Sequence, residues 1–404
     1  MGINFDVTAF QQVGKQRYTT KKIETLAIQS PTLGVMPKNT KGGGLAWYGA
    51  IRNATPSSRS AVAATAFTTG SASAYQRWTC SWVNDYASAN ITGPALAQAD
   101  GTENSMVKVA TDEIDGAFES LGISAGAALF SNGGGAIGQI ASGQTTATIT
   151  LVNTSLILNF YVGQILQTSI DDGTGGNGVK SGTVTVTGVN TATGTITASA
   201  AWNAGIGTVA ANDYIFQQGD YNAKLIGLAG WLPATSPGST LFNGVNRQND
   251  PERLGGCRFN GAGAPKAESL IQLAALISRF RGRPDVIVVN PLDYADIAKE
   301  RDTKVFYDKA AFNNPEIVFR GFELAMPSGT ATVLPDPFCP QGTGYMIQTD
   351  TWELVSLGEL MKFVEGDKVG DWLRISGDDV YQARVVYRAT TYCSAPGRNG
   401  VVTF

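Results

Sequence analysis

Residues 285–298 read Asp285-Val286-Ile287-Val288-Val289-Asn290-Pro291-Leu292-Asp293-Tyr294-Ala295-Asp296-Ile297-Ala298. The run Val286–Val289 is entirely β-branched with no polar alternation, which predicts a strand buried on both faces. Asn290 then offers a side-chain oxygen as helix N-cap. Pro291 suits the first helical position, where its missing N–H costs nothing. Asp293 falls in the first turn, where the helix dipole favours negative charge, and the helix should run to about Arg301. Upstream, Pro265 opens another helix, with Leu270, Leu273, Ala274, Ile277 and Phe280 on one face and Gly282 past its end. Short strands dominate from Glu316 to the C-terminus, including Val380 to Thr391. The C-terminal part therefore mixes helices and strands in an α+β arrangement.

Toward the N-terminus the character changes completely at residues 140–219. Only Asp171, Asp172, Lys180 and Asp213 carry charge there. Thr146 to Leu151, Thr183 to Thr187 and Thr195 to Thr197 alternate with period two, as strands with one wet and one packed face do. Asp171 to Gly178 is a turn cluster. The stretch reads as a small inserted all-β domain of roughly five to seven short strands.

Before it lies an amphipathic helix whose stripe is Val107, Ala110, Ile114, Ala117 and Leu121, with Asn104 as candidate cap and Gly122 as candidate stop. Residues 45–92 are aromatic and β-prone, carrying Trp47, Tyr48, Tyr75, Trp78, Trp82 and Tyr86. Between its two aromatic patches, Thr55 to Ser73 is small and polar with Arg59 its only charge. This reads as a long hairpin or loop projecting from the body, and loops of that length are usually functional. The first sixty residues carry a local charge of +6, so the other 344 sum to −9. With Pro31, Pro37 and Gly42-Gly43-Gly44 and little periodicity, the start reads as an extended arm that lies on an acidic neighbouring subunit.

Composition limits the chemistry. The chain has 404 residues, 16% charged, with net charge −3 and no histidine. About 25% charged is usual, so the surface is unusually neutral. Absent histidine removes histidine-based triads, histidine metal sites and the ordinary pH switch. Negative net charge gives no global field for nucleic acid. Cys80, Cys257, Cys339 and Cys393 are scattered without CxxC spacing, as buried free thiols would be. The N-terminus lacks the basic start and apolar stretch of a signal peptide, and no apolar run reaches the roughly 18–20 residues of a membrane span.

Literal motif matches fail on context. Gly122-Ile123-Ser124-Ala125-Gly126 fits GxSxG, but a nucleophile elbow follows a strand and needs a base. Ser105-Met106-Val107-Lys108 fits SxxK without its companion motifs in order. Gly133, Gly135 and Gly138 fit GxGxxG with helix before and strands after, the reverse of a dinucleotide site, so a hinge into the inserted domain is expected. Asp171, Asp172 and Asn177 lack EF-hand spacing, and Asp378-Asp379 reads as a turn. No catalytic, cofactor or metal residues are assigned.

The strand–Asn290-Pro291–helix unit resembles the signature of major capsid proteins of tailed phages, which share the Hong Kong 97-like fold. Asp336-Pro337-Phe338-Cys339-Pro340 through Tyr345-Met346, and the ending Ala395-Pro396-Gly397-Arg398-Asn399-Gly400-Val401, are also similar to that family. The order of features agrees over nearly the whole chain outside residues 140–219. The resemblance implies an α+β Hong Kong 97-like fold with N-terminal arm, extended β loop, spine helix and inserted all-β domain. Its expected division is arm 1–44, extended loop 45–100, and spine helix with the first part of a peripheral domain at 101–139. Then come the insertion 140–219, an axial domain 220–349, the second peripheral part 350–390 and a C-terminal return to the axial domain, 391–404.

The implied function is a non-enzymatic shell protein, forming pentamers and hexamers of an icosahedral capsid around double-stranded DNA. Its implied partners are its own copies, a scaffolding protein, a portal and a decoration protein, with non-specific contact to packaged DNA and no membrane. Its implied place is the virion, assembled in the host bacterial cytoplasm. The alternative is a phage tail or adhesin-like protein that binds through the β domain. Arg52, Arg59, Arg77, Trp78 and Trp82 are the expected assembly contacts, because arginine and aromatic residues dominate interface energetics.

Overall fold

The computed structural model describes residues 30–94 apart from 55, 57, 58, 69 and 71, then 106–301, 322–364 apart from 328, 373–374 and 378–404. Val286–Val289 forms a central strand of a six-stranded sheet, and each of its four side chains is buried. It runs parallel to Gly329–Pro335 on one side and antiparallel to Thr343–Ile347 on the other. That position explains the unbroken apolar run, because neighbours on both edges and both faces leave no wet side. Burying such side chains contributes roughly 1.5–3 kcal/mol each. Strands Gly400–Thr403 and Cys257–Asn260 extend the sheet beyond Thr343–Ile347, and Phe322–Met326 closes its other edge.

Asn290 caps the helix Pro291–Arg301 as expected, its Oδ1 accepting from the Leu292 N–H at 3.0 Å. Its amide also donates to the Cys339 carbonyl at 2.8 Å, tying helix start to the following loop. Asp293 is only 1% exposed and does more than complement the dipole. It accepts from the Gly342 N–H and from Lys266 Nζ, at 2.8 and 2.7 Å. Lys266 begins the preceding helix, Lys266–Ser278, so the two helices are joined at their N-terminal ends.

The second sheet is antiparallel at its centre, where Val380–Cys393 pairs with Trp352–Phe363 on one side and with Val83–Thr92 on the other. The spine helix, Met106–Leu129, packs across Val83–Thr92. The expected stop at Gly122 is overturned: the helix continues seven residues further, to Leu129. Leu121, Ala125, Ala128 and Leu129 bury the extension. Phe338 leaves room only for hydrogen at Gly126, where a Cβ would stand 2.8 Å from its ring. Tertiary packing outweighs the roughly 1 kcal/mol helix cost of each glycine. The cap proposed at Asn104 lies outside the described residues.

The inserted all-β region is a closed six-stranded barrel, in the order Tyr214–Gln217, Gly138–Ser142, Thr148–Leu151, Thr195–Ala198, Val184–Asn190 and Ile165–Ser169. Its core is separate from the rest and includes Ile140, Ile149, Leu166, Ile196 and Trp202, all fully buried. Alternation does the sorting: in Thr148–Leu151 the threonines face out and Ile149 and Leu151 face in. Thr148 and Thr197 meet side by side on the outside at 3.1 Å, a cross-strand threonine pair. Closure leaves no unpaired strand edge.

Candidate functional site

The projecting element is a hairpin of Ala46–Ala54 and Ala74–Ser81, a two-stranded sheet among the described residues. Its root is anchored by aromatic packing. Trp78 lies 5.2 Å from Trp231 and 6.1 Å from Phe242, edge to face in both cases. Trp231 in turn touches Trp352 and Tyr392, at 6.4 and 6.3 Å. Opposite Trp78 stands Gly49, where a Cβ would strike the Tyr392 ring at 2.3 Å, so any larger residue there must push Tyr392 aside.

Away from its root the hairpin touches the body at Arg52, whose carbonyl accepts from the Arg253 guanidinium at 2.5 Å, and its tip leaves apolar side chains exposed. The helix Ala63–Thr68 buries no residue, and Phe67 is 85% exposed. Tyr75 and Val62 are also exposed. These three leave large apolar side chains exposed along the hairpin.

Of the five expected contact residues, three are exposed. Arg52 and Arg59 are exposed, and Arg77 is exposed with its guanidinium stacked 4.5 Å over Tyr48. Trp78 must be corrected: it has 0% exposure and belongs to the subunit's own core. Its period-two neighbours hid this, because an aromatic residue at a hairpin root looks the same in sequence as one at the tip. Trp82 is half-buried and donates its indole N–H to the Gly44 carbonyl at 2.9 Å, holding a segment of its own chain.

The basic residues 15–22 of the arm lie outside the described residues. The described part, from Ser30 to Gly44, packs on its own subunit rather than standing free. Ser30 caps the short helix Pro31–Val35, which buries Pro31, Thr32 and Leu33. Lys38–Asn39 adds a parallel strand beside Leu354 and Val355.

Asp336 holds this segment. Fully buried, its carboxylate accepts from Ser30 Oγ at 2.9 Å, the Thr32 N–H at 3.1 Å and the Phe338 N–H at 3.0 Å. Burial raises its pKa, and these donors oppose the rise. Its own N–H bonds the Val289 carbonyl, so the arm is fastened to the end of the strand that decides the fold.

A second joint lies in the C-terminal motif. Asn399 is fully buried and accepts from Trp352 Nε1 at 2.9 Å and from the Gln348 N–H at 2.7 Å. It donates to Thr351 Oγ1 and to the Ala395 carbonyl, at 3.0 and 2.9 Å. One amide thus joins the two sheets. Sequence reasoning assigned neither Asp336 nor Asn399 a role, although both stand inside quoted motifs.

The GxSxG serine and Asp171 are occupied structurally, and Ser105 of the SxxK match lies outside the described residues. Ser124 of the GxSxG match lies in mid-helix and donates to Asp85 at 2.6 Å. Asp171 is occupied in its turn by Gly173, Asn177 and Tyr221. All four cysteines are buried and free. Among the described residues no histidine, cysteine, aspartate or glutamate group forms a metal-ligand cluster, and no helix is long and apolar enough to cross a membrane.

A packed arm, a projecting hairpin, a spine helix and two sheets, met in this order along the chain, make up the Hong Kong 97-like capsid fold. The subunit of the cyanophage A-1(L) capsid asymmetric unit shares it, with TM-score 0.50 and 12% identity over 97% of this chain and 95% of that one. The capsid of a native GTA particle aligns with TM-score 0.48 and 8% identity, covering 97% and 93% of the two chains. The SrpI encapsulin of Synechococcus elongatus PCC 7942 aligns with TM-score 0.46 and 9% identity, covering 99% and 95%. No protein-family model matches the chain, and no curated protein matches it by sequence. The tail or adhesin-like alternative gains no support from these comparisons.

Proposed function

We propose that this chain is the major capsid protein of a tailed bacteriophage, assembling into hexamers and pentamers of an icosahedral shell around double-stranded DNA. The carrying observation is a capsid fold that spans essentially the full chain and leaves its hairpin tip, with Phe67 and Tyr75, uncovered in the single subunit. In a lattice that tip reaches a neighbouring copy, and many modest contacts combine into a stable shell. Arg52, Arg59 and Arg77 are the hairpin's contacts to the neighbour, with Trp82 supporting them from the hairpin's base. The division into arm, loop, peripheral, axial and inserted domains, with the sequence-derived boundaries, is part of this proposal.

A scaffolding protein, a portal and a decoration protein complete the assembly, which takes place in the host cytoplasm and ends in the virion. The role is structural, without catalysis, cofactor or metal. The test is expression of the full chain, alone and with the neighbouring phage assembly proteins, followed by sedimentation and electron microscopy. Closed shells or rings of five and six subunits are expected. A monodisperse monomer under every condition would refute the reading.

A further inference from the structure

The barrel joins the body through residues 130–137 going in and 218–227 coming out. The two linkers are bonded to each other: the Asn222 N–H reaches the Gly134 carbonyl at 2.7 Å and the Gly227 N–H reaches Ser131 at 3.0 Å. Beneath them sits Lys224, whose side chain is 8% exposed. Its Nζ lies 2.5 Å from Asp85 Oδ2, 3.0 Å from Asp220 Oδ2 and 2.8 Å from Ser124 Oγ. Asp85 belongs to the peripheral strand Val83–Thr92, Ser124 to the spine helix and Asp220 to the exit linker. One ammonium therefore fastens three parts of the molecule at the foot of the barrel.

The charge count at this joint is uneven. Two carboxylates share one ammonium, in a site beside a cleft of about 30 Å³, room for a single water. The barrel side of the cleft supplies only uncharged groups, among them Asn159, Tyr161, Gln164 and Gln217. From the peripheral sheet, Tyr387 pairs across from Asp85, and its buried phenol has no hydrogen-bond partner. Among the described residues no second cation pairs with the carboxylates at this joint.

We propose that Asp85, Asp220 and Lys224 form a proton-operated latch that fixes the barrel's exit linker against the spine helix. With one proton on the carboxylate pair the joint is charge-balanced and closed. Without that proton the surplus negative charge loosens the linker.

The direction follows from Asp220. Burial pushes it up to about 6, against the pull of the Lys224 ammonium and with a further push from the Asp85 carboxylate. Lys224 stays charged, because the two carboxylates outweigh its own burial. In an opened, solvated linker Asp220 returns to the ordinary value of 3.8. The closed joint thus holds the proton more tightly than the open one. Closure strengthens as pH falls through 6 toward 4 and weakens as pH rises through 6, by at most about 100-fold in the opening equilibrium.

Hydrogen exchange followed by mass spectrometry on the full chain reads this directly, in peptides covering the Asn222 and Gly227 amides. After correction for intrinsic exchange, linker protection should fall between pH 5 and pH 7.5, while strand Val286–Val289 stays unchanged as internal reference. Asp220→Asn should stay protected and flat across the range. Asp85→Asn, which leaves a one-to-one pair, should move the wild-type midpoint to lower pH. A flat wild-type profile overturns the latch, as does a wild-type slope persisting in Asp220→Asn, or an unmoved midpoint in Asp85→Asn. The proposal concerns the joint alone and stands apart from the capsid reading.

Discussion

Asn399 joins one buried amide to four oxygen and nitrogen partners and to the Cys393 sulfur, using its carbonyl as acceptor and its NH2 as donor. Asn399→Leu keeps the approximate volume but leaves the Trp352 indole and the Gln348 N–H unpaired. A loss of about 3 kcal/mol is expected, read as a lower urea midpoint with unchanged slope. Trp78→Ala should cost about 3–5 kcal/mol by opening a cavity in the aromatic root, and should loosen the hairpin while leaving the barrel's melting unchanged. Arg77→Ala touches only the exposed face and should leave subunit stability within about 0.5 kcal/mol, while weakening assembly.

Asp171 shows how a turn residue becomes pH-sensitive. Burial acts to raise its pKa, but the Asn177 and Gly173 N–H groups and the Tyr221 hydroxyl prevail and hold it near 2, against an ordinary 3.8. A carboxyl depressed by folding stabilises above its unfolded pKa. Its contribution to the loop at residues 171–178 is therefore complete above about pH 4 and lost as pH falls toward 2. Acid titration of the Tyr221 environment by NMR should show that transition, and Asp171→Asn should abolish it.

At the scale of elements, the barrel is the clearest unit. Its first and last strands are adjacent, with Ile215 paired to Gly138, so the chain enters and leaves at one place. Replacing residues 136–219 by a short Gly-Ser linker should leave the two sheets and the spine helix folded. Calorimetry on that variant should lose one transition and keep the other. An aggregated or molten remainder would show that the barrel is needed for folding of the body.

The barrel and the strand-to-helix unit at 285–301 were both legible in the sequence. One is announced by threonine alternation without charge, the other by a β-branched run closed by Asn290-Pro291. The spine helix was legible in kind but not in length. Gly122 reads locally as a stop, and the continuing helix is held by partners distant in sequence, among them Asp85 and Lys224 at Ser124 and Phe338 at Gly126.

At the scale of the whole molecule, assembly should depend on surfaces that one subunit leaves uncovered. Residues 30–44 are folded into their own subunit, so removing them damages the fold itself. Removing residues 1–29 isolates the arm's basic segment instead. That truncation should leave the thermal unfolding of the barrel unchanged and block shell closure, as seen by electron microscopy. Arg52→Glu with Arg59→Glu should likewise spare the fold and reduce shells, since reversed charge on a rim acts on encounter more than on stability. Normal particles from both variants would remove the arm and hairpin from the assembly account.

By itself the sequence determined the local grammar: where strands and helices form, where charge is withheld, and which histidine-dependent chemistries are absent. These follow from periodicity, turn residues and composition, which act over a few residues. The tertiary structure decided which residues meet. It moved Trp78 from candidate contact to core, gave Asp336 and Asn399 their partners, and gathered Asp85, Ser124, Asp220 and Lys224 at one joint. The decisive pairings among them, from Ser124 with Asp85 to Ser30 with Asp336, join residues 39 to 306 apart along the chain. Burial, desolvation and hydrogen-bond completion depend on neighbours in space, and no local pattern encodes them.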